Sequence, residues 1–134
     1  MKKFPLMLIA LITLHLAACK KKDKQPQTTM EKIQGKWFLQ NETDNEHSSG
    51  QDNITTTAGG PNDIIDFRSD GKVYSDVFGT KDTSTYTLSG DTKIVLAGTE
   101  IFDIKTLSSN SFILYNKQIF AADDYDEVTI TLKR

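Results

Sequence analysis

Few residues of this chain have the chemistry to catalyse or to hold a metal. There is one cysteine, Cys19, and there are two histidines, His15 and His47. A single cysteine excludes an intrachain disulfide framework and a cysteine-based zinc cluster. His47 lies between Glu46 and Ser48 in a long polar stretch. Nucleophilic catalysis needs a buried, oriented imidazole beside its nucleophile, so His47 reads as a solvated loop residue. No phosphate-binding glycine loop, His-Glu-x-x-His helix or Gly-x-Ser-x-Gly elbow occurs. Asp123, Asp124, Asp126 and Glu127 form an acidic run of a kind that can hold calcium. The run lacks the spacing of a calcium-binding loop and reads as solvated surface. Asn41-Glu42-Thr43 and Asn53-Ile54-Thr55 match a glycosylation acceptor by accident of sequence. The expectation is a protein with no catalytic residues, no metal and no cofactor.

Cys19 has a context. Met1-Lys2-Lys3 is basic, and Phe4 to Ala18 runs apolar except for Thr13 and His15. That run is shorter than the roughly 20 residues that span a bilayer, and its layout is that of a secretory signal peptide. Its end, Leu16-Ala17-Ala18-Cys19, resembles a bacterial lipobox. The resemblance implies a signal peptide over 1–18, cleavage before Cys19, and lipidation of Cys19, with several acyl chains as a membrane anchor. One chain alone binds a membrane only marginally, at about 0.8 kcal/mol per buried CH₂, so several are needed for a stable anchor. Residues 19–30 follow as a flexible basic linker, with Lys20, Lys21, Lys22 and Lys24 beside Asp23 and then a Gln, Pro and Thr segment. The expected location is the bacterial cell envelope, lipid-anchored, most simply at the outer membrane.

The elements that must position any site come after residue 31. Apolar residues there recur with a period of two, the mark of half-buried strands. Trp37 and Leu39 share a parity, as do Ile65 and Phe67, Tyr86 and Leu88, Ile94 and Leu96, Phe102 and Ile104, Phe112 and Leu114, and Val128, Ile130 and Leu132. Turn residues separate these runs, with Asp70-Gly71 as a tight hairpin signal. The spacing predicts about eight strands, near 35–41, 62–68, 72–78, 83–88, 92–97, 100–107, 111–116 and 127–133. Asn41 to Pro61 holds Ile54 as its one large apolar residue and reads as a long loop, functional or disordered. The fold class expected is all-β, an eight-stranded antiparallel up-and-down barrel over 31–134.

Gly35-Lys36-Trp37 at the start of the first strand resembles the first signature of the lipocalin family. Phe67 to Gly71 and the closing strand Val128 to Arg134 are similar to segments of lipocalin-like lipoproteins of the Bacteroidetes type. The resemblance implies a structural role for Gly35, Trp37 and Arg134. The Trp would plug the closed end of the barrel under a basic residue, Lys133 or Arg134, with Arg the better stacker. It also implies an open end that takes a small hydrophobic ligand or lipid. Leu39, Phe67, Tyr86, Leu88, Leu96, Phe102, Phe112 and Leu114 are the expected lining, with Val73, Ile94, Ile104 and Ile130 beside them. The alternative is a filled barrel acting as a protein–protein interaction module, an accessory subunit or inhibitor, through 41–61 and the acidic rim. The expected partners are a membrane, reached through the anchor, and such a ligand, with the protein a monomer.

Net charge divides these classes further. The whole chain carries 16 basic and 18 acidic residues. That near balance offers no basic footprint for nucleic acid. From Gln25 onward the count is 10 basic and 17 acidic, so a basic address and stem precede an acidic barrel.

Overall fold

The computed structural model describes residues 26–134. The expected signal peptide, Cys19 and the lysines of the expected linker lie outside the described residues. A short helix, α1 (Thr29–Ile33), comes first, and nine strands follow. The strands are β1 (Gly35–Ser48), β2 (Gln51–Ala58), β3 (Ile64–Phe67), β4 (Lys72–Val77), β5 (Thr80–Ser89), β6 (Lys93–Leu96), β7 (Glu100–Leu107), β8 (Ser111–Ala121) and β9 (Asp124–Lys133). Every pairing is antiparallel between neighbours, and β1 also pairs with β9. That last pairing closes β1 and β3 to β9 into an eight-stranded up-and-down barrel.

The segment 41–61 is where the sequence reading fails. It is not a loop. β1 runs on to Ser48, turns at Ser49-Gly50, and returns as β2 paired from Asn41↔Ala58 to Ser48↔Gln51. Both glycine and serine of the turn adopt positive φ, at 73° and 55°. β1 therefore has two partners on one edge. Its first half, Gly35 to Phe38, pairs with β3, and its second half pairs with β2. The switch falls at an irregularity between Leu39 and Asn41. There the Leu39 amide donates to Asp63 O at 2.9 Å and the Gly59 amide donates to Gln40 O at 2.9 Å. β2 pairs with β1 alone among the described strands, and all eight of its residues are exposed.

The two halves of the barrel differ in filling. Ile33, Trp37, Leu39, Phe67, Ile94, Phe112, Leu114 and Leu132 are fully buried. Trp37 and Phe67 each tilt against Phe112, at 5.3 and 5.8 Å between ring centres. Tyr86 meets Phe67 edge-on at 5.2 Å, and its hydroxyl donates to Arg68 O at 2.7 Å. Aromatic pairs in these geometries contribute about 0.5–1.5 kcal/mol beyond the area they bury. This half, capped by α1, holds the buried core. The other half carries the β1–β2 and β8–β9 hairpins and is open.

Candidate functional site

At the closed end, Trp37 donates its indole N–H to Ile33 O at 2.7 Å. The Arg134 guanidinium lies 4.0 Å from the centre of the Trp37 ring. It also donates to the carbonyls of Lys32, Ile33 and Gln34, the orphan acceptors at the end of α1. Gly35 has φ of 108°, and a Cβ there would sit 3.3 Å from the Arg134 guanidinium. Only glycine meets both conditions. Gly35, Trp37 and Arg134 thus form one structural plug, and Lys133 is exposed and outside it.

The open half holds a cavity of about 230 Å³. Its floor is Ile65, Phe67, Val73, Leu96, Leu114 and Ile130. Small inward residues, Ser75 on β4 and Ser84 on β5, leave the space unfilled above Val73. Asp82 and Glu100 stand at its mouth. The volume is below the roughly 300–1,000 Å³ of sites for drug-sized ligands and suits a smaller group. Of the expected lining residues, Phe67, Leu96 and Leu114 border the cavity. Leu39, Tyr86 and Phe112 are buried in the core, and Leu88 is half-buried against it. Phe102 borders a separate recess with Glu100, Asn116 and Asp126. A shallower hollow of about 470 Å³ lies along β4 and β5, bordered by Tyr74, Lys81 and Thr83.

Register places six carboxylates on the inward face of this half. Glu42 pairs with Ile130, Asp44 with Val128, and Glu46 with Asp126, so these side chains share the face of the buried Leu132. Asp82 pairs with Ser75, and Glu100 with Leu96. Among the described residues, none of the six makes a side-chain hydrogen bond or an ion pair. Burial pushes the Glu42 carboxyl above the usual carboxylate range, and the neighbouring Asp44 charge adds to the rise. The sequence reading missed this set. The signal was present: Asp82, Ser84, Tyr86 and Leu88 share one parity, as do Glu100, Phe102 and Ile104.

The outward acids behave in the opposite way. Asp103 pairs with Lys93 at 2.6 Å and Lys105 at 3.1 Å. Asp66 pairs with Arg68 at 3.3 Å, Asp76 with Lys81 at 3.5 Å, and Glu127 with Lys117 at 2.9 Å. The acidic run before the last strand is split by β9, Asp126 turning inward while Glu127 turns outward to Lys117 and the Tyr115 hydroxyl. Burial, and then the hydrogen bond to Glu127, push the Tyr115 phenol up to about 12.

His47 is not a loop residue. It lies on β1, stacked on Tyr125 of β9 at 4.5 Å and 8°. Its Nδ1 is 2.6 Å from Asp52 and its Nε2 is 3.2 Å from Asp123, on the two neighbouring hairpins. Hydrogen bonds to Asp52 and then Asp123 raise its pKa from the ordinary value. Among the described residues, no group of three His, Asp or Glu side chains converges as a metal site. No family model and no curated protein matches this chain.

Proposed function

We propose that this chain is a lipid-anchored, lipocalin-like protein of the cell envelope that binds a small hydrophobic ligand or lipid without catalysis. The observation that carries the binding is the cavity of about 230 Å³ over Phe67, Leu96 and Leu114 in the open half of the barrel. Cavities with apolar floors and a few polar groups at the mouth are the usual form of small-ligand sites. The anchor rests on the lipobox resemblance at Leu16 to Cys19 alone. Native mass spectrometry of protein extracted from its own membrane tests the binding. A co-purifying small molecule is expected, and Ser84→Phe, which fills the cavity from β5, removes it. An empty barrel in the unaltered protein sinks the ligand reading. A Cys19→Ser variant is expected in the aqueous fraction, and its retention in membranes removes the anchor.

One observation favours the interaction-module reading. Ile54 on β2, Phe78 at the β4–β5 turn, and Ile119 and Phe120 on β8 are large apolar residues left 48–70% exposed towards the open end. Exposed apolar surface of this kind marks a contact site when it is contiguous. An empty barrel together with a stable complex lost on Ile119→Ser and Phe120→Ser would decide for that reading.

A further inference from the structure

We propose that the ligand of the open-end cavity is a single-chain or single-ring amphiphile carrying a positive charge, its apolar part on the Phe67–Leu114 floor and its cationic nitrogen at the mouth. This rests on the binding function proposed above and names its ligand class.

The argument starts from the difference between the two faces of the sheet. Outside, Asp66, Asp76, Asp103 and Glu127 each pair with a Lys or Arg. Inside the open half, Glu42, Asp44, Glu46, Asp82, Glu100 and Asp126 have no such partner among the described residues. The basic residues explain why. Lys36, Lys72, Lys81, Lys93, Lys117 and Lys133 all occupy register positions on the outward face. Arg68 and Lys105 lie over the outward rings of Tyr74 and Tyr115, and Lys32 on α1 and Arg134 are at the closed end. No described cation reaches the mouth from within the fold.

Asp82 and Glu100 border the mouth of the cavity, while Asp44, Glu46 and Asp126 border neighbouring recesses of the same half, and like charges so placed repel. A cation supplied from outside relieves that repulsion, and the low-dielectric floor beneath focuses the field at the opening. The apolar floor asks for more than a bare cation. The carboxylates are also spread over β1, β5, β7 and β9 and do not converge as a metal site. They suit a diffuse organic ammonium better than a metal ion. Size sets the other limit. A cavity of about 230 Å³ takes roughly eight water-sized groups at ~30 Å³ each, enough for one short chain or ring and too small for a two-chain lipid.

The test is isothermal titration of the folded protein with octylammonium, octanol and octanoate, three probes of equal tail and different charge. Octylammonium is expected to bind at least about tenfold more tightly than the other two, with the advantage shrinking as salt rises. In the double variant Asp82→Asn, Glu100→Gln the advantage is expected to fall severalfold while octanol binding stays. Equal binding of octylammonium and octanol, or an advantage untouched by the double variant, overturns the charge assignment and leaves the apolar cavity standing. Failure of all three probes overturns the cavity-binding function and this inference with it.

Discussion

At the scale of single residues, Trp37 and Arg134 were legible in the sequence and His47 was not. The resemblance carried by Gly35-Lys36-Trp37 implied a basic residue stacked on the Trp, Lys133 or Arg134, and arginine has the flat cation that stacks on indole. His47 depends on Asp123, 76 residues away in sequence, so no local pattern reveals it. Its hydrogen bonds to Asp52 and Asp123 favour the imidazolium and raise its folded pKa above the ordinary 6.5. A raised histidine pKa contributes stability that is fully present below the unfolded value and is lost as pH rises through the folded value. The His47 bond, and then one from Asn45, lower the pKa of Asp52. The β1–β2 and β8–β9 hairpins are therefore tied most firmly in mild acid. Thermal melts between about pH 6 and 8 check this. The unaltered protein is expected to lose stability relative to His47→Gln as pH rises, and parallel curves for the two would refute the tie.

At the scale of elements, seven of the nine strands follow from alternating apolar residues and β4 from the Asp70-Gly71 turn before it, and β2 does not. Asn53, Thr55 and Thr57 share a face with Glu46, Asp44 and Glu42 of β1, and Asp52, Ile54 and Thr56 share the other with His47, Asn45 and Thr43, so neither side carries the apolar period that betrays a strand. Two weaker signals were there, the Thr55-Thr56-Thr57 run and the Ser49-Gly50 turn. What fixes the hairpin is the crossing from β2 to β3. At Gly59 an added Cβ would lie 2.1 Å from Leu39 O, a backbone atom that has nowhere to go. Gly59→Ala must therefore push the crossing away from β1 and break the Gly59 to Gln40 hydrogen bond. A loss of about 2 kcal/mol in chemical denaturation is expected, within the range of overpacked sites. Gly60→Ala is the control. Its Cβ would meet only the Asp63 side chain, at 3.4 Å, and a much smaller loss is expected. Equal losses at the two positions would mean that glycine entropy, and not the close approach, sets the cost.

At the scale of the whole molecule, the barrel separates its charges by face. Cations and their paired acids lie outside, and unpaired acids line the open half. Composition showed the acid excess but not its location, because the inward parity of the open half carries both apolar and acidic residues. This separation has a thermodynamic sign. Glu42 is the inward acid whose pKa is raised, first by burial and then by the Asp44 charge. The folded state thus binds a proton more readily than the unfolded chain does. Stability from this group is greatest below the ordinary carboxylate range and is lost as pH rises through its raised value. Glu42→Gln removes the penalty at neutral pH without changing the shape. The side chain is partly exposed, so screening by solvent keeps the expected gain below about 1 kcal/mol. The gain should appear at pH 7, vanish near about pH 4 where the carboxyl is already protonated, and shrink in high salt. A destabilised Glu42→Gln at neutral pH would mean that Glu42 finds a cationic partner in solution, and the uncompensated mouth would not exist. Octylammonium narrows the choice: if the mouth is uncompensated, saturation with it should stabilise the unaltered protein more than Glu42→Gln, since the variant has already lost part of the repulsion that the cation relieves.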